Sequence, residues 1–572
     1  MAFALNPIKS YKKEELSALC ERLREIIFQT VSKSGGHLAS NLGAVESTVA
    51  LCYAFDFPND KIVFDVGHQC YTYKLLTGRA NEFATLRKRG GISGFPKRTE
   101  SEYDCYGTGH AGTSVSAALG LAKARDILGG NETVIAYIGD GSFQNGLVYE
   151  ALNSLSSLNT KILIILNDNG MSISPTVGGM HDILTDIRRS DAQNQVRLLE
   201  SFGLTYLGVK DGNDVFEMLN ALEEAKTLLK NNSVLLHIST TKGKGYAFSE
   251  EDPVDTHGVT PSVSVEEKEY SQILGKTLCN LAENNDKIAV ICAAMKEPLG
   301  LSKFFEKYGE RAFDVGICEE NAAVLCASMA AGGLKPYYAV YSTFLQRAFD
   351  EIIHDVCAQD LPVTFCVDRA GISGTDGETH QGVFDLSYLS LIPNLTVAVP
   401  KDTLEFEKML EFSVNYPHPL VIRYPRSGKS VFNVEGKPLK AGEWEFLHRA
   451  KGSKIAVLAT GERTVTMAMQ ALKKAQKNGK EFDIVNARFV KPLDEAFFKK
   501  LSYENLVTLE DNVFLGGFGA SVQNALIRLE KDCKVKSFAY PDTFIPHGNA
   551  AELQREFGVS EEALTAYLTE IL

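Results

Sequence analysis

The most constraining stretch of this sequence covers residues 133–174. Residues 133–138 (TVIAYI) form an apolar, β-branched run that predicts a buried strand, and the tripeptide GDG at 139–141 ends it. A helix is predicted from about Asn145, because apolar residues recur there at helical spacing. A second apolar run follows at 161–166. Together these elements predict a βαβ unit with parallel strands and a right-handed connection.

Polar residues follow both predicted strands of this unit. Asp140 comes after the first strand, and Asn169 closes an Asn-Asp-Asn cluster after the second. Open α/β sheets bind ligands at the carboxyl ends of their strands, and carboxylate and amide oxygens are hard ligands that suit Mg²⁺ or Ca²⁺. Either cluster by itself would indicate only a turn, since Gly, Asn and Asp dominate turns. Their ordered pairing around one helix favours a cation site.

Length and composition limit the class of protein. The chain has 572 residues, too many for one core, which predicts about three domains. Its formal charge of −13 argues against a nucleic-acid-binding surface. Eleven cysteines without a CxxC pair predict reduced thiols, and no apolar run reaches membrane-spanning length. We therefore expect a cytoplasmic protein that binds neither nucleic acid nor a membrane.

Histidines stand at several predicted junctions. His37 lies in a glycine-rich turn, His68 follows a strand predicted at 61–64, and His110 lies in GTGHAGTS before a helix of small residues. One histidine in a turn is more often structural, so only the recurrence indicates function. The third motif also matches GxGxxG, but residues 102–106 make a poor strand and no acidic ribose partner follows. A loop whose amides meet a diphosphate is the better interpretation.

Shifts in composition divide the chain into three predicted α/β blocks. Their boundaries are predicted at 1–262, 263–432 and 440–572. Residues 176–194 are polar and weakly patterned, which predicts a mobile surface segment. Residues 242–261 are rich in Gly, Pro and charge, and we interpret them as a linker that carries His257. The third block alternates strands and helices without a catalytic cluster, which indicates packing and subunit contact.

Charged residues follow several predicted strands of the second block. Arg369 follows the apolar run at 363–367, and Arg426 follows the run at 421–424. Both guanidinium groups could converge on one crevice and bind a phosphate, which Arg matches in a bidentate way. Surface ion pairs are the alternative, and such pairs contribute little to stability.

Motifs along nearly the whole chain resemble the 1-deoxy-D-xylulose-5-phosphate synthase family, which is related to transketolase. They are SGGHLASNLG, DVGHQ, the GDG/NDN pair, YSTFLQR, DRAGISGTDGETHQG, RYPR, RFVKPLD and DTFIPHG. The GDG/NDN pair marks thiamine diphosphate enzymes in general, whereas YSTFLQR and the DRAG–THQG stretch are specific to the synthase branch. The resemblance implies an α/β fold with three doubly wound domains of the transketolase type, two for thiamine diphosphate and one at the C-terminus.

The same resemblance implies an activity. It is a transferase reaction that joins pyruvate to D-glyceraldehyde 3-phosphate, releases CO₂ and gives 1-deoxy-D-xylulose 5-phosphate, a precursor for isoprenoid, thiamine and pyridoxal biosynthesis. The implied cofactors are thiamine diphosphate and Mg²⁺. The implied partners are small-molecule substrates and a second copy of the chain in a homodimer.

Site residues are carried over from the family motifs. The implied catalytic groups are Glu319, which would hydrogen-bond the aminopyrimidine ring, and His37, His68, His257 and His380. The implied metal ligands are Asp140, Asn169 and the carbonyl of Met171. The implied cofactor contacts are His37, His68, Gly109, His110, Ala111, Gly139, Asp140, Gly141, Ser142, Asn169, Met171, Ile173, Glu319 and Phe344. The implied substrate contacts are Tyr341, Arg347, Arg369, Asp376, His380 and Arg426.

Three departures from the family pattern leave alternatives open. Glu320 and Asn321 stand where Gln and His are usual, Tyr73 stands where His is common, and the region after Ser174 is shorter than usual. A paralogue with another 2-oxo acid or aldehyde is therefore the chief alternative. Transketolase activity on a ketose phosphate is a second. A non-catalytic thiamine diphosphate-binding protein is a third, and Glu319 together with the complete metal set argues against it.

Overall fold

The computed structural model describes residues 7–189, 192–259, 268–428 and 438–572. These residues form two compact units. The first contains the described residues up to 259 together with Gly316–Cys318 and Thr375–Thr379, and the second contains the remainder. Each unit is described separately below.

The first unit is built on a five-stranded parallel sheet. Its strands are β1 Lys61–Phe64, β2 Val134–Gly139, β3 Leu163–Asp168, β4 Leu204–Asp211 and β5 Ser233–Ser239. Their order in the sheet is β1-β2-β3-β5-β4. The α-helices of this unit are Leu16–Ser34, Leu38–Gly43, Val45–Ala54, Tyr71–Lys74, Ser114–Leu128, Asp140–Phe143, Gly146–Leu158, Gly179–Arg189, Gln193–Glu200, Val215–Leu228 and Ala247–Glu251.

The predicted βαβ unit is confirmed. Strands β2 and β3 are parallel neighbours, and helix Gly146–Leu158 connects them. Asn145 begins this helix by accepting a hydrogen bond from the Leu147 N–H, as expected of an N-cap. Alternate residues of both strands enter two hydrophobic cores, one on each face of the sheet. Burial on both faces explains why these strands read as continuous apolar runs.

The prediction of a mobile polar segment at 176–194 is wrong. Helix Gly179–Arg189 occupies most of it, and helix Gln193–Glu200 begins near its end. Leu184 and Ile187, three residues apart on one helical face, are buried in the core under β2 and β3. The apolar stripe is narrow, so the sequence reads as polar although the helix packs well. Residues 190 and 191 lie outside the described part.

The interpretation of residues 242–261 as a linker is also wrong over the described part, which ends at 259. Lys242 and Ser249 are buried, and helix Ala247–Glu251 lies within the stretch. Val259 pairs with Gly36 through two backbone hydrogen bonds of 2.8 and 2.9 Å. These contacts make the stretch part of the first unit. The predicted domain boundary at 262/263 lies outside the described residues.

The second unit contains a seven-stranded and a five-stranded sheet. Its strands are β6 Lys268–Glu269, β7 Ile288–Cys292, β8 Ala312–Asp314, β9 Lys335–Tyr341, β10 Thr364–Asp368, β11 Thr396–Ala398, β12 Leu420–Arg423, β13 Ser427–Gly428, β14 Glu445–His448, β15 Ile455–Ala459, β16 Asp483–Asn486, β17 Phe489–Lys491, β18 Asn505–Val513 and β19 Lys534–Tyr540. The larger sheet has the order β17-β11-β12-β10-β9-β7-β8, and the smaller has the order β14-β16-β15-β18-β19. Strands β6 and β13 form a separate antiparallel pair.

Helices cover both sheets of this unit. The α-helices are Tyr270–Glu283, Ser302–Lys307, Glu319–Ala331, Ser342–Leu345, Phe349–Glu351, Asp385–Ser390, Thr403–Val414, Glu462–Lys477, Glu495–Lys499, Phe518–Arg528, Ala550–Glu556 and Glu561–Ile571. Within the described ranges, no helix is long and apolar enough to cross a membrane.

The predicted second and third blocks share a sheet and a core. Strand β17 belongs to the third block in sequence, yet it pairs antiparallel with β11 at the edge of the larger sheet. One hydrophobic cluster includes Val397 of the second block and Val485, Val490 and Leu526 of the third. These two blocks therefore form one compact unit, and the boundary predicted between them stays a prediction.

Candidate active site

Asp140 begins a short helix immediately after β2, at the carboxyl edge of the first sheet. Its side chain is buried, with 2 % exposed. Among the described residues, none makes a hydrogen bond of ordinary geometry to either carboxylate oxygen. Burial and the nearby Asp168 carboxylate raise the pKa of Asp140 to about 8. A buried carboxylate in this state is a strong candidate ligand for a cation.

The turn after β3 provides the other predicted metal ligands. The Asn169 side-chain oxygen accepts a 3.1 Å hydrogen bond from the Met171 N–H. The Asn169 backbone amide lies close enough to Asp140 to lower the pKa of its carboxyl in part. Gly141 approaches Ser172 so closely that a Cβ at position 141 would lie 3.0 Å from the Ser172 Cβ. The structure thus brings the GDG and NDN motifs together, as predicted.

A buried polar network surrounds Asp168, the residue that precedes Asn169 in this turn. Asp168 is fully buried and forms an ion pair with Arg188 of helix Gly179–Arg189. Its other oxygen is 2.9 Å from His237 Nε2, and His237 Nδ1 is 2.9 Å from the Tyr206 hydroxyl. Arg188 and His237 could not be identified from the sequence, because only tertiary packing brings them to Asp168.

His37, His68 and His257 form a cluster in the first unit. The centroids of their rings are 5.4 to 5.5 Å apart in all three pairs. Burial, followed by the charge of Lys242 and the other two histidines, lowers the pKa of His257 well below its usual value. His257 is therefore a neutral imidazole near pH 7, able to accept or pass a proton. The structure confirms that these three predicted residues lie together, although their roles stay predictions.

Asn41 connects the loops that carry two of these histidines. Its buried amide donates to the backbone oxygens of His37 and His68 at 2.7 and 2.6 Å, and its oxygen accepts from the Tyr71 N–H at 2.8 Å. Leaving any of these buried groups unpaired would be costly. Asn41 therefore fixes the separation of His37 and His68, and the sequence did not single it out.

Asp65 has a similar positioning role near His110. Its two carboxylate oxygens accept from the Gly112 and Ser114 N–H groups at 2.8 and 2.9 Å, at the start of helix Ser114–Leu128. His110 Nε2 lies 2.7 Å from the Thr379 carbonyl oxygen. A Cβ on Gly109 would lie 2.4 Å from Thr379, so this position requires glycine.

The remaining predicted contacts of the first unit also lie near these motifs. Ala111 and Ser142 are buried, and Gly139 ends β2. Ile173 is half-buried in the turn that follows Met171. Asp376 belongs to the first unit, where its carboxylate lies 2.6 Å from the Arg87 guanidinium.

Lys242 is a buried cation in the stretch that the sequence analysis interprets as a linker. Its ammonium group donates to the Ser172 carbonyl oxygen. Burial lowers its pKa to about 8, although the Asp140 carboxylate raises it in part. The side chain is thus near both Asp140 and His257. The signal available in the sequence was its place directly after β5, at the carboxyl edge of a parallel sheet.

Glu319 begins helix Glu319–Ala331 in the second unit. Its side chain is buried, with 4 % exposed, and burial raises the pKa of its carboxyl above the usual value. Arg347 lies 3.6 Å from the Glu319 carboxylate, which is an ion-pair distance but too long for a hydrogen bond. Glu319 therefore holds a proton to higher pH than an exposed glutamate does, as an acid–base group requires.

Predicted substrate and cofactor residues form a row in the second unit. The Arg369 guanidinium lies 4.4 Å from the centroid of the Tyr341 ring. Tyr341 stacks on Phe344 with centroids 5.5 Å apart, and Phe344 contacts His380 edge to face at 5.6 Å. Tyr341 ends β9 and Phe344 lies in the helix that follows it, whereas Arg369 and His380 lie in the segment after β10. The structure brings these residues together, and their roles stay predictions.

Arg369 and Arg426 both act on the buried Asp368. Burial raises the pKa of the Asp368 carboxyl to about 6, and both arginines oppose that shift. Arg369 also forms a 2.5 Å ion pair with Asp368. The two guanidinium groups are therefore close to one carboxylate at the end of β10, as expected if they converge.

Two close relatives establish the family. The 1-deoxy-D-xylulose-5-phosphate synthase of Clostridium tetani is 42 % identical over 99 % of this chain and 98 % of its own length. That of Clostridium beijerinckii is 43 % identical with the same coverage. The chain belongs to the 1-deoxy-D-xylulose-5-phosphate synthase family. As a synthase of this family, it is a transketolase-like transferase that uses thiamine diphosphate.

Three family models divide this synthase. The 1-deoxy-D-xylulose-5-phosphate synthase model matches residues 4–198, the transketolase pyrimidine-binding model 266–429 and the transketolase C-terminal model 442–564. The fold is accordingly the three-domain α/β fold of the transketolase type. Among solved structures, transketolase from Campylobacter jejuni is 20 % identical, with a TM-score of 0.45, over 98 % of this chain and 100 % of its own.

The structure places two of the three departures from the family pattern. Tyr73 is buried in an aromatic core beside Phe57 and Phe64, and its hydroxyl donates to the Tyr103 carbonyl oxygen at 3.0 Å. Along the first turn of helix Glu319–Ala331, Glu319 is buried, whereas Glu320 is half-buried and Asn321 exposed. The departures at 320 and 321 therefore leave the burial of Glu319 intact.

Proposed function

We propose that this protein condenses pyruvate with D-glyceraldehyde 3-phosphate to give 1-deoxy-D-xylulose 5-phosphate. A carbon–carbon bond forms between the pyruvate carbonyl carbon and the aldehyde carbon. The pyruvate carboxylate leaves as CO₂, and one proton is taken up. The observation that carries this proposal is identity of 42–43 % with named synthases over nearly the full length of both chains.

The carboxyl edge of the first sheet supports binding of a metal diphosphate. Asp140 offers two buried oxygens without a hydrogen-bond partner among the described residues, so a divalent cation would neutralise a charge that burial penalises. Asp140, the Asn169 amide oxygen and the Met171 carbonyl would hold Mg²⁺, and the ion would neutralise the charge of the diphosphate. Lys242, buried beside Asp140, would face a phosphate oxygen.

Several titratable residues are candidates for proton handling. Thiamine diphosphate, when bound, supplies a carbon nucleophile and accepts the electron pair that decarboxylation releases. Glu319, whose pKa burial raises, would hold a proton toward the aminopyrimidine ring. The cluster of His37, His68 and His257 is neutral at least at His257, so it can accept a proton from a hydroxyl group and return it. His380, beside Phe344, would act on the same reacting groups.

The aldehyde phosphate has a candidate binding surface around Asp368. Arg369 and Arg426 lie close to this buried carboxylate, and their charge exceeds what it neutralises. The planar guanidinium group matches phosphate oxygens in pairs. Tyr341 lies against Arg369 and would support the same ligand. Arg347, beside Glu319, and Asp376, beside Arg87, complete the proposed substrate contacts.

Location and assembly are further parts of this proposal. All eleven cysteines lie in the described residues and none forms a disulfide, which supports a reducing compartment such as the cytoplasm. The resemblance to the family supports a homodimer. Light scattering after size exclusion should give twice the chain mass of 62.7 kDa, and a single-chain mass would contradict the homodimer.

One assay tests the proposed reaction. The protein is incubated with Mg²⁺, thiamine diphosphate, pyruvate and D-glyceraldehyde 3-phosphate, and the products are identified by mass. We expect 1-deoxy-D-xylulose 5-phosphate and one CO₂ for each molecule formed. A second incubation replaces pyruvate with a ketose phosphate, and formation of two-carbon transfer products there would favour a transketolase. Product from another aldehyde only would favour a paralogue.

A further inference from the structure

The base of the loop between Gly371 and Gly382 is closed within the second unit, to which 371–374 and 380–382 belong. Gly371 and Gly382 exchange two backbone hydrogen bonds of 2.7 and 2.8 Å. The buried Gln381 braces the interior by accepting from the Ser373 and Gly374 N–H groups at 2.7 and 3.0 Å. The loop carries His380, and Arg369 precedes it directly.

Two charged residues of the third block form hydrogen bonds with the backbone of Ile372, at the base of this loop. Asp511 Oδ1 accepts a 3.2 Å hydrogen bond from the Ile372 N–H, and Arg463 donates a 2.8 Å hydrogen bond to the Ile372 carbonyl oxygen. Asp511 Oδ2 and Arg463 form an ion pair at 2.7 Å. One ion pair thus holds both backbone groups of Ile372. Its two residues belong to the third block, for which the sequence predicts no catalytic cluster.

The position of Asp511 is itself tightly fixed. The Tyr540 hydroxyl donates to Asp511 Oδ1 at 2.5 Å, and burial together with the Asp511 charge raises the pKa of Tyr540, so that hydroxyl stays protonated. A Cβ on Gly371 would lie 1.9 Å from Asp511 Oδ2, and Gly371 has φ +77. Only glycine permits this approach.

The base of the loop is also connected to the proposed substrate residues Arg369 and His380. Buried Arg423 donates to the Gly382 carbonyl oxygen at 3.2 Å and to the Asp511 carbonyl oxygen at 2.7 Å. A Cβ on Gly382 would lie 2.5 Å from the Arg369 carbonyl oxygen, so the backbones of Gly382 and Arg369 are in close contact. A displacement of Ile372 would therefore be transmitted to Arg369 and His380.

We propose that Arg463 and Asp511 are positioning residues, through which the third block sets the place of Arg369 and His380. Neither residue is among the proposed substrate or cofactor contacts. It holds the peptide of Ile372, and through it the base of the loop. The kinetic part of this inference rests on the proposed function, whereas the structural part does not.

Hydrogen exchange in the absence of substrates tests the structural part. Arg463→Met removes the charge and keeps the length of the side chain, and Asp511→Asn keeps its shape. We expect exchange of peptides covering 371–382 to rise about tenfold or more in both variants. The double variant should add little, since residues acting as one unit are not additive. Arg463→Lys, which keeps the charge, should restore much of the protection.

A matched control uses another arginine of the third block. Arg528 lies 3.9 Å from Glu495 with both side chains largely exposed, so Arg528→Met removes an equal charge without touching the loop. Exchange at 371–382 should be unchanged in this variant. Unchanged exchange in Arg463→Met and Asp511→Asn as well would overturn the inference.

Steady-state kinetics test the functional part. We expect KM for D-glyceraldehyde 3-phosphate to rise about 10- to 100-fold in Arg463→Met, because a misplaced Arg369 weakens phosphate binding. KM for pyruvate should change by less than about twofold. An equal rise in both KM values would indicate general loosening and overturn the inference. Failure of wild-type protein to form product would defeat the proposed function, and the exchange result would still decide the role of the pair.

Discussion

At the scale of single residues, two of the proposed functional groups are carboxyls that the fold buries at a cost. Asp140 and Glu319 are both almost fully buried, and burial raises the pKa of each. A protein tolerates such groups where binding or proton transfer requires them. Substitution by the matching amide should therefore have opposite effects on stability and on function.

Asp140→Asn should weaken binding of thiamine diphosphate in the presence of Mg²⁺ by about 100-fold or more, since a charged ligand is lost. The ligand-free protein should become more stable by roughly 1–3 kcal/mol, because folding no longer suppresses the ionisation of a buried carboxyl. Calorimetry measures the first effect and thermal unfolding the second. Asp182→Asn, at an exposed position of the first unit, is the control. Undiminished affinity in Asp140→Asn would contradict the metal assignment.

Glu319→Gln should keep thiamine diphosphate bound but slow exchange of its C2 proton by about 10²–10⁴-fold, the usual range for a lost acid–base group. Proton NMR of quenched samples in deuterated buffer measures this rate. Glu320→Gln removes the same charge from a half-buried neighbour and should have a much smaller effect. Equal rates in Glu319→Gln and wild type would remove Glu319 from this role.

At the scale of elements, several strands were predicted well, whereas helix Gly179–Arg189 was missed. Apolar runs predicted β1, β2 and β12 to within one residue, because strands buried on both faces need no partner to be recognised. Helix Gly179–Arg189 was missed because its apolar stripe is short and its charged residue Arg188 has a buried partner. The sequence cannot show such a partner.

The candidate site divides in the same way. Asp140, Glu319 and the three clustered histidines were predicted, because each lies at a strand end or in a motif shared with the family. Lys242 and Arg463 were not, since their functional meaning depends on which distant segment they contact. A sequence pattern identifies residues that act on ligands more readily than residues that only hold them in position.

Ile187→Ala should test whether helix Gly179–Arg189 is packed or mobile. Ile187 is buried in the core beneath β2 and β3, so its truncation should destabilise local structure by about 2–4 kcal/mol. Hydrogen exchange of the peptide 179–189 measures this change. Ile183→Ala, at a half-buried position of the same helix, should have a smaller effect. Equal exchange in wild type and Ile187→Ala would restore the original prediction of a mobile segment.

At the scale of the whole molecule, sequence blocks and compact units do not coincide. The second and third blocks share one hydrophobic cluster, and β17 closes the edge of the larger sheet. Sequence composition suggested separate domains because each block contains its own alternation of strands and helices. Composition does not show that β17, which belongs to the third block, pairs in the sheet of the second block.

A fragment of residues 264–437 should therefore fail to fold cooperatively. It lacks β17, so β11 becomes an exposed edge, and it loses the partners of Val397 in the shared core. A fragment of residues 264–572 retains both and should unfold cooperatively. Circular dichroism during thermal unfolding distinguishes the two. A sharp transition in the shorter fragment would show that the second block folds independently.

The position of β17 also has a consequence for synthesis on the ribosome. All strands of the first sheet are available once β5 has emerged from the ribosome. In the larger sheet of the second unit, one edge of β11 has no partner strand until β17 emerges. At about 5–20 residues per second, translation of the intervening chain takes several seconds. During that time a nascent chain exposes an unpaired strand edge beside an incomplete core. Chaperone contact with nascent chains should accordingly concentrate in the interval after Leu420–Arg423 has emerged and before Phe489–Lys491 is available.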